Sequence, residues 1–309
     1  MAEADTGVMD ATEGLSLCPL IFERAIPTIQ LMNKRSLPRP IFFFILFFSA
    51  TLQAQDRKPP RKGEFYFSWG YNTEWYTKSD IHVNQPELNN NYTWVGVQGH
   101  DHKGWDEGLL HIALTIPQYN YRIGYFFNAE KGYGLELNFD HTKYIFPDGS
   151  HPRLRGILGG RQVDTTVNFS NANGFYYYLN NGANFFLFNF VKRWKTIHSR
   201  DGNFKLDILG KAGVGPVVPH VQNSFFGQPN QQHFQLGGWN VGVEGVVRAT
   251  FFKHVYLEYC NKLDFAHYFG LRIYKGKAHQ MFGTYEMIAN LGITFPMGHR
   301  KAISSTAGH

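Results

Sequence analysis

Long apolar runs are missing from this chain. The longest, Ile41 to Phe48, is only eight residues, far short of the roughly 20 needed to carry a helix across a bilayer. Cysteine is nearly absent. Of Cys18 and Cys260, only the second lies beyond that run, so a chain processed after the run has no internal disulfide, and sheet closure must hold it together. The usual carriers of nucleic-acid binding are also lacking, with no basic helix and no interleaved RNA-binding motif. The net charge of +6 is partly local, because Lys34, Arg35, Arg39, Lys58, Arg61 and Lys62 flank the one apolar run. A nucleic-acid partner is therefore not expected.

Aromatic side chains are what the chain has in excess. Phe and Tyr number 28 and 17, and aromatics make up 17% of residues. Hydrophobic residues reach 43%, yet the mean hydropathy is −0.32, too polar for a bundle of membrane helices. A membrane-spanning β-barrel reconciles these totals, since each strand turns one apolar face to lipid and one polar face inward. A secreted β-sandwich would share the totals, so patterning has to decide.

The apolar run is preceded by Lys34, Arg35 and Arg39 and followed by Ser49-Ala50-Thr51-Leu52-Gln53-Ala54. A positive segment, a short apolar core and small residues before a cut after Ala54 make a secretory signal peptide. Met32 is the natural start of that leader. The expected organisation is therefore a spurious extension over 1–31, a signal peptide over 32–54, a periplasmic lead-in over 55–62, a barrel over 63–296 and a polar tail over 297–309.

Alternation is clearest after Lys62. Phe65, Phe67, Trp69, Tyr71 and Trp75 fall on one face, and Glu64, Tyr66, Ser68, Gly70, Asn72 and Glu74 on the other, which is the period of a strand. The pattern recurs over 118–128, 133–140, 204–211, 239–248, 255–262 and 284–295. The segment 184–195 is apolar on both faces through Phe185-Phe186-Leu187-Phe188, so its register stays open. Three connections are short, at 129–132, 196–203 and 252–253; those at about 77–115, 147–182, 218–233 and 268–279 are long. Short and long alternate, as in an even-stranded outer-membrane barrel with tight periplasmic turns and longer outer loops. The fold class predicted is all-β: a transmembrane antiparallel up-and-down β-barrel of eight strands, both termini periplasmic. Tyr92–Gln98 or Arg161–Phe169 would extend strands or add a hairpin, with ten strands as the fallback.

Gly63-Glu64-Phe65-Tyr66-Phe67-Ser68-Trp69-Gly70-Tyr71-Asn72, with Tyr76 to His82, Asp140 to Tyr144 and Gly213-Val214-Gly215-Pro216, resembles small outer-membrane barrel proteins of Bacteroidetes, an uncharacterised family. The leader ending in Ala54-Gln55 fits the same group. The resemblance implies the fold and the bacterial outer membrane as location, with no activity to carry over.

Functional expectations follow from barrel size. Eight strands leave an interior just wide enough for side chains to fill. The inward set Arg122, Glu136, Asp207, Lys211, Glu244, Arg248 and Glu258 is expected to pair across the lumen, because an unpaired buried charge is costly. Carboxylates outnumber bases once Glu64, Glu74, Asp140 and Glu286 are added. A plugged lumen is favoured over a narrow solute channel. A metal site from His100, Asp101, His102, Asp106 and Glu107 matches no standard spacing. A lipid-modifying enzyme would use an outward histidine such as His141 or His267, but neither has a serine two residues on, and the His-x-Ser-Asn pattern of lipid A deacylases is absent. No catalytic residue, cofactor or metal is assigned. The expected partners are outer-membrane lipid, the barrel-assembly machinery during biogenesis, and a glycan or protein at the outer loops, where 89–92, 176–181 and 228–233 set aromatics beside amides. The role read from the sequence is structural or recognition-based.

Overall fold

In the computed structural model, the described residues are 63–101, 118–179 and 182–297. They form sixteen strands: β1 (Gly63–Gln85), β2 (Asn90–His100), β3 (Tyr119–Asn128), β4 (Tyr133–His141), β5 (Tyr144–Ile145), β6 (Arg153–Leu158), β7 (Arg161–Thr166), β8 (Tyr176–Leu179), β9 (Phe185–His198), β10 (Phe204–Val217), β11 (His220–Phe225), β12 (Gln228–Pro229), β13 (His233–Phe234), β14 (Gly238–Phe251), β15 (Val255–Ile273) and β16 (Gly276–Met297).

Eight of them close a ring. The antiparallel order is β1-β16-β15-β14-β10-β9-β4-β3, and β3 returns to β1. The closing seam runs from Glu64↔Phe126 to Tyr71↔Tyr119. The sequence expectation of eight strands is met, and the segments behind the ten-strand fallback lie above the ring instead. Three tight turns cluster at one end. Gly132, at φ 73°, ends the first, where its N–H and that of Lys131 bond to the Asn128 backbone and side-chain oxygens. The second is organised by Asp201, which accepts from Ser199 and Asn203. The third spans Phe252 to His254 between the paired Phe251 and Val255, with Phe252 and Lys253 left-handed at φ 52° and 69° and the His254 N–H donating to the Phe251 carbonyl.

Through the ring, alternation separates inside from outside as read. Phe67, Trp69, Tyr121, Leu135, Trp239, Leu257 and Leu291 are exposed, while Ser68, Asn120, Glu136, Asn240, Glu258 and Asn290 are buried. β9, open from sequence, turns Phe188, Phe190 and Trp194 outward and Phe185, Leu187, Asn189, Val191 and Arg193 inward. Its polar residues thus set the register, and its inner apolar residues fill space in the lumen.

The expected long loops are largely strand. β1 runs on past the ring and folds back through Asn89 (φ 52°) into β2, which pairs with β6 and β5. β8 and β11 extend the same sheet. The connection expected over 268–279 is corrected: β15 and β16 continue upward and join through Tyr274-Lys275 alone. The loop end of the ring therefore carries a folded β-structure with a core of its own.

Candidate functional site

The lumen is filled in two storeys. Lowest, near the turns, Arg193 donates to both Glu64 oxygens at 2.7 and 3.0 Å, and Thr294 adds a hydroxyl at 2.8 Å. Above it Arg248 lies between the Tyr66 and Tyr256 rings, 4.5 and 4.2 Å from their centroids, and its Nε donates to Glu258 at 2.8 Å. Glycines opposite make room for those two rings. A Cβ at Gly124 would sit 2.1 Å from Tyr66 Cζ, and one at Gly292 2.2 Å from Tyr256 Cζ.

From Glu258 a continuous chain of charge crosses the barrel. Lys211 Nζ reaches Glu258 at 3.1 Å and Glu136 at 2.8 Å. Arg122 meets Glu136, Asp140 and Glu244 at 3.5, 3.4 and 3.0 Å. Lys262 joins Asp140, Glu286 and Asp264 at 2.6, 3.1 and 3.3 Å. These residues come from β3, β4, β10, β14, β15 and β16, so the network ties six of the eight ring strands together. The expected pairing across the lumen is thus present, except that Asp207 pairs with His198 at 2.7 Å near the turn end. Lys262, Arg193 and Asp264 were outside the expected inward set; Arg193 was hidden by the double-sided apolarity of its strand. The surplus carboxylate Glu74 meets neutral donors, Asn72 at 2.8 Å and the Tyr76 hydroxyl.

Over this polar storey sits an aromatic one. Phe282 packs on Tyr76, Tyr144 and Tyr268 with centroids 5.3, 4.8 and 5.3 Å apart. Tyr177 donates to Gln280, which in turn donates to Ser79, both at 3.0 Å. Beyond them Trp94 is wholly buried among Phe169, Phe175, Phe225 and Phe146, at 5.2 to 6.4 Å. Charged side chains below and rings above occupy the lumen between them.

Of the two histidines expected to face outward, His141 is buried and His267 is half-buried. His141 stacks on Tyr119 at 4.6 Å, and its Nδ1 lies 2.9 Å from Asn184 Oδ1; no serine hydroxyl is among its hydrogen-bond partners. His267 packs edge-on to Trp239 at 5.7 Å. Of the suggested metal ligands, His102, Asp106 and Glu107 lie outside the described residues. Asp101 is occupied by Thr73, Gln118 and the Glu74 N–H, and no cluster of metal-ligating side chains occurs among the described residues.

The outer face of the upper sheet is open to solvent. There His82 and His279 stand opposite each other on β1 and β16, ring centroids 6.2 Å apart, and His82 Nδ1 lies 3.1 Å from Thr93 Oγ1. Partial burial, with His82 beside it, holds the His279 imidazole below its usual pKa.

No family model and no curated protein matches this chain. Among solved structures it is similar to Ail, the attachment invasion locus protein of Yersinia pestis, in complex with the heparin analogue sucrose octasulfate: identity is 14%, over 76% of this chain and 99% of that one, with a TM-score of 0.29. It is also similar to the outer membrane protein OprG of Pseudomonas aeruginosa, at 9% identity over 77% and 98% of the chains and a TM-score of 0.31. The outer membrane protease OmpT of Escherichia coli is 10% identical over 77% and 97%, with a TM-score of 0.36. At these scores the barrel is established by the closed ring and its apolar exterior rather than by the likenesses.

Proposed function

We propose that this chain is a sealed β-barrel of the bacterial outer membrane that displays a folded β-structure for recognition of a glycan or protein outside the cell. A closed ring with an apolar exterior satisfies its backbone internally, as crossing a membrane requires. Its even strand number and its tight turns at one end match outer-membrane barrels, with those turns periplasmic. The observation that carries the recognition reading is the aromatic core around Trp94. There the residues beyond the ring are organised into paired strands around a buried core, above a lumen filled by ion pairs.

The test has two arms. In planar bilayers the purified chain is expected to give no stable single-channel steps, and regular steps would refute the sealed lumen. In nanodiscs on glycan and matrix-protein arrays it is expected to bind, and a variant with the β6–β7 hairpin replaced by a short turn loses that binding. Loss of acyl mass from lipopolysaccharide, abolished by His141→Ala, would instead favour a lipid-modifying enzyme.

A further inference from the structure

Two rows of side chains cross the outer face of the upper sheet. One reads Arg155, Thr93, His82, His279 on β6, β2, β1 and β16. The next places Asn91, Asn84, Lys277 and Arg272 side by side on β2, β1, β16 and β15. Lys277 and Arg272 thus stand directly opposite each other, an arrangement that costs stability unless an anion lies between them.

The nearby carboxylates are already engaged. Asp164, opposite Arg155, is held in a two-point pair by Arg153, both bonds at 2.6 Å. Asp80 accepts from the Gly96 N–H at 2.7 Å, and Glu87 reaches Lys275 at 3.5 Å. Among the described residues Arg155, Lys277 and Arg272 have no carboxylate within 4 Å, and all three are exposed.

The direction in which this face looks identifies what it meets. β16 runs without a bulge from Phe295 to Lys277. Its outward side is apolar through Leu291, Met287, Tyr285 and Met281, then turns to His279 and Lys277. On β15 the outward Phe265 and Phe269 are likewise followed by Arg272. The cations cap a lipid-facing surface and look sideways, towards neighbours in the same leaflet rather than up into the medium. At about 4.8 Å per strand and two residues along the strand, Arg155 and Lys277 stand roughly 16 Å apart, room for more than one anionic group.

We propose that Arg155, Lys277 and Arg272 form a binding face for the phosphate groups of the glycolipid surrounding the barrel, with Thr93, Asn84 and Asn91 meeting its sugar hydroxyls. This rests on the reading of the upper sheet as a recognition surface and names its ligand.

The test uses the full purified chain in phosphatidylcholine nanodiscs, titrated with fluorescent rough lipopolysaccharide before and after phosphatase treatment. Tight binding is expected only for the phosphorylated form. The triple variant R155Q/R272Q/K277Q is expected to bind about 10- to 100-fold more weakly, on the scale of charge–headgroup contacts at a membrane surface. R200Q, an exposed cation in the tight turn at the opposite end of the ring, should bind like the parent, and a retained heat-modifiable shift on electrophoresis confirms that each variant is folded. Equal binding by the triple variant, or by the dephosphorylated lipid, overturns the proposal. So does full displacement at equal charge by a soluble sulfated polysaccharide, which would move the ligand from the leaflet to the medium while leaving the recognition reading intact.

Discussion

Below its bulge β1 turns Phe65, Phe67 and Trp69 to the outside; above it, the same strand turns Ile81 and Val83 to the inside. All five residues have odd numbers. The register shift between Tyr76 and Ile81 rolls the strand over, so one unbroken alternation serves two solvents. β15 repeats the device. Leu263 and Phe265 face out, the register shifts between Tyr268 and Leu271 at Gly270 (φ 66°), and Leu271 and Ile273 face in. In the lower half lipid lies outside, so apolar residues go out and charges fill the lumen. In the upper half polar headgroups and water lie outside, and rings fill the same enclosed space. The interior of a barrel is thus defined by what surrounds it.

That contrast breaks hardest at Arg122, which is wholly buried against Glu136, Asp140 and Glu244. Arg122→Ala leaves three carboxylates short of a cation, and is expected to cost about 3–5 kcal/mol in urea unfolding from lipid vesicles. An unchanged midpoint would mean the network contributes little to holding the strands. Trp94→Ala removes the centre of the upper core at about 3 kcal/mol, but locally. Limited proteolysis should open the segments 90–100 and 144–179 while the ring keeps its heat-modifiable mobility; collapse of both halves together would show that they fold as one unit. Arg193→Gln, which strips Glu64 of its two-point partner near the turns, is expected to lose about 2 kcal/mol in the same unfolding experiment.

The smallest effect lies on the exposed hairpin. The Arg153 guanidinium holds the Asp164 carboxyl below the usual aspartate range. A depressed value means that whatever the pair contributes is present above that range and fades as pH falls through it. Arg153→Gln should return the Asp164 titration to the ordinary range by NMR, with unfolding unchanged. A titration that stays depressed would point to another cation, such as Arg155.

The ring was legible because lipid enforces alternation on every strand that crosses it, and because Asn128–Gly132, Ser199–Asn203 and Phe252-Lys253 are short. The upper half was not. Ile81, Val83, Leu271 and Ile273 continue the parity of the residues below them, so nothing in the spacing marks where outside becomes inside. β9 resisted for a different reason: Phe185, Leu187 and Val191 are apolar residues on the polar side, filling gaps that charge leaves. The inward charges were readable one by one, but their chain from Arg248 to Glu286 depends on which strands adjoin. The cations of the upper face escaped notice because Arg155 and Lys277 are 122 residues apart in sequence and meet only through β2 and β1.

The roll in β1 also sets an arithmetic for how this chain can change length. Between Tyr76 and Ile81 a gain or loss of one residue would exchange the inner and outer faces of every position above it, putting Ile81 and Val83 in water and His82 in the core. A change of two would restore the faces. At the hairpin tip between Leu158 and Arg161 no such parity applies. Lineages carrying this barrel are therefore free to lengthen residue by residue at the tips, but only in even steps at the roll.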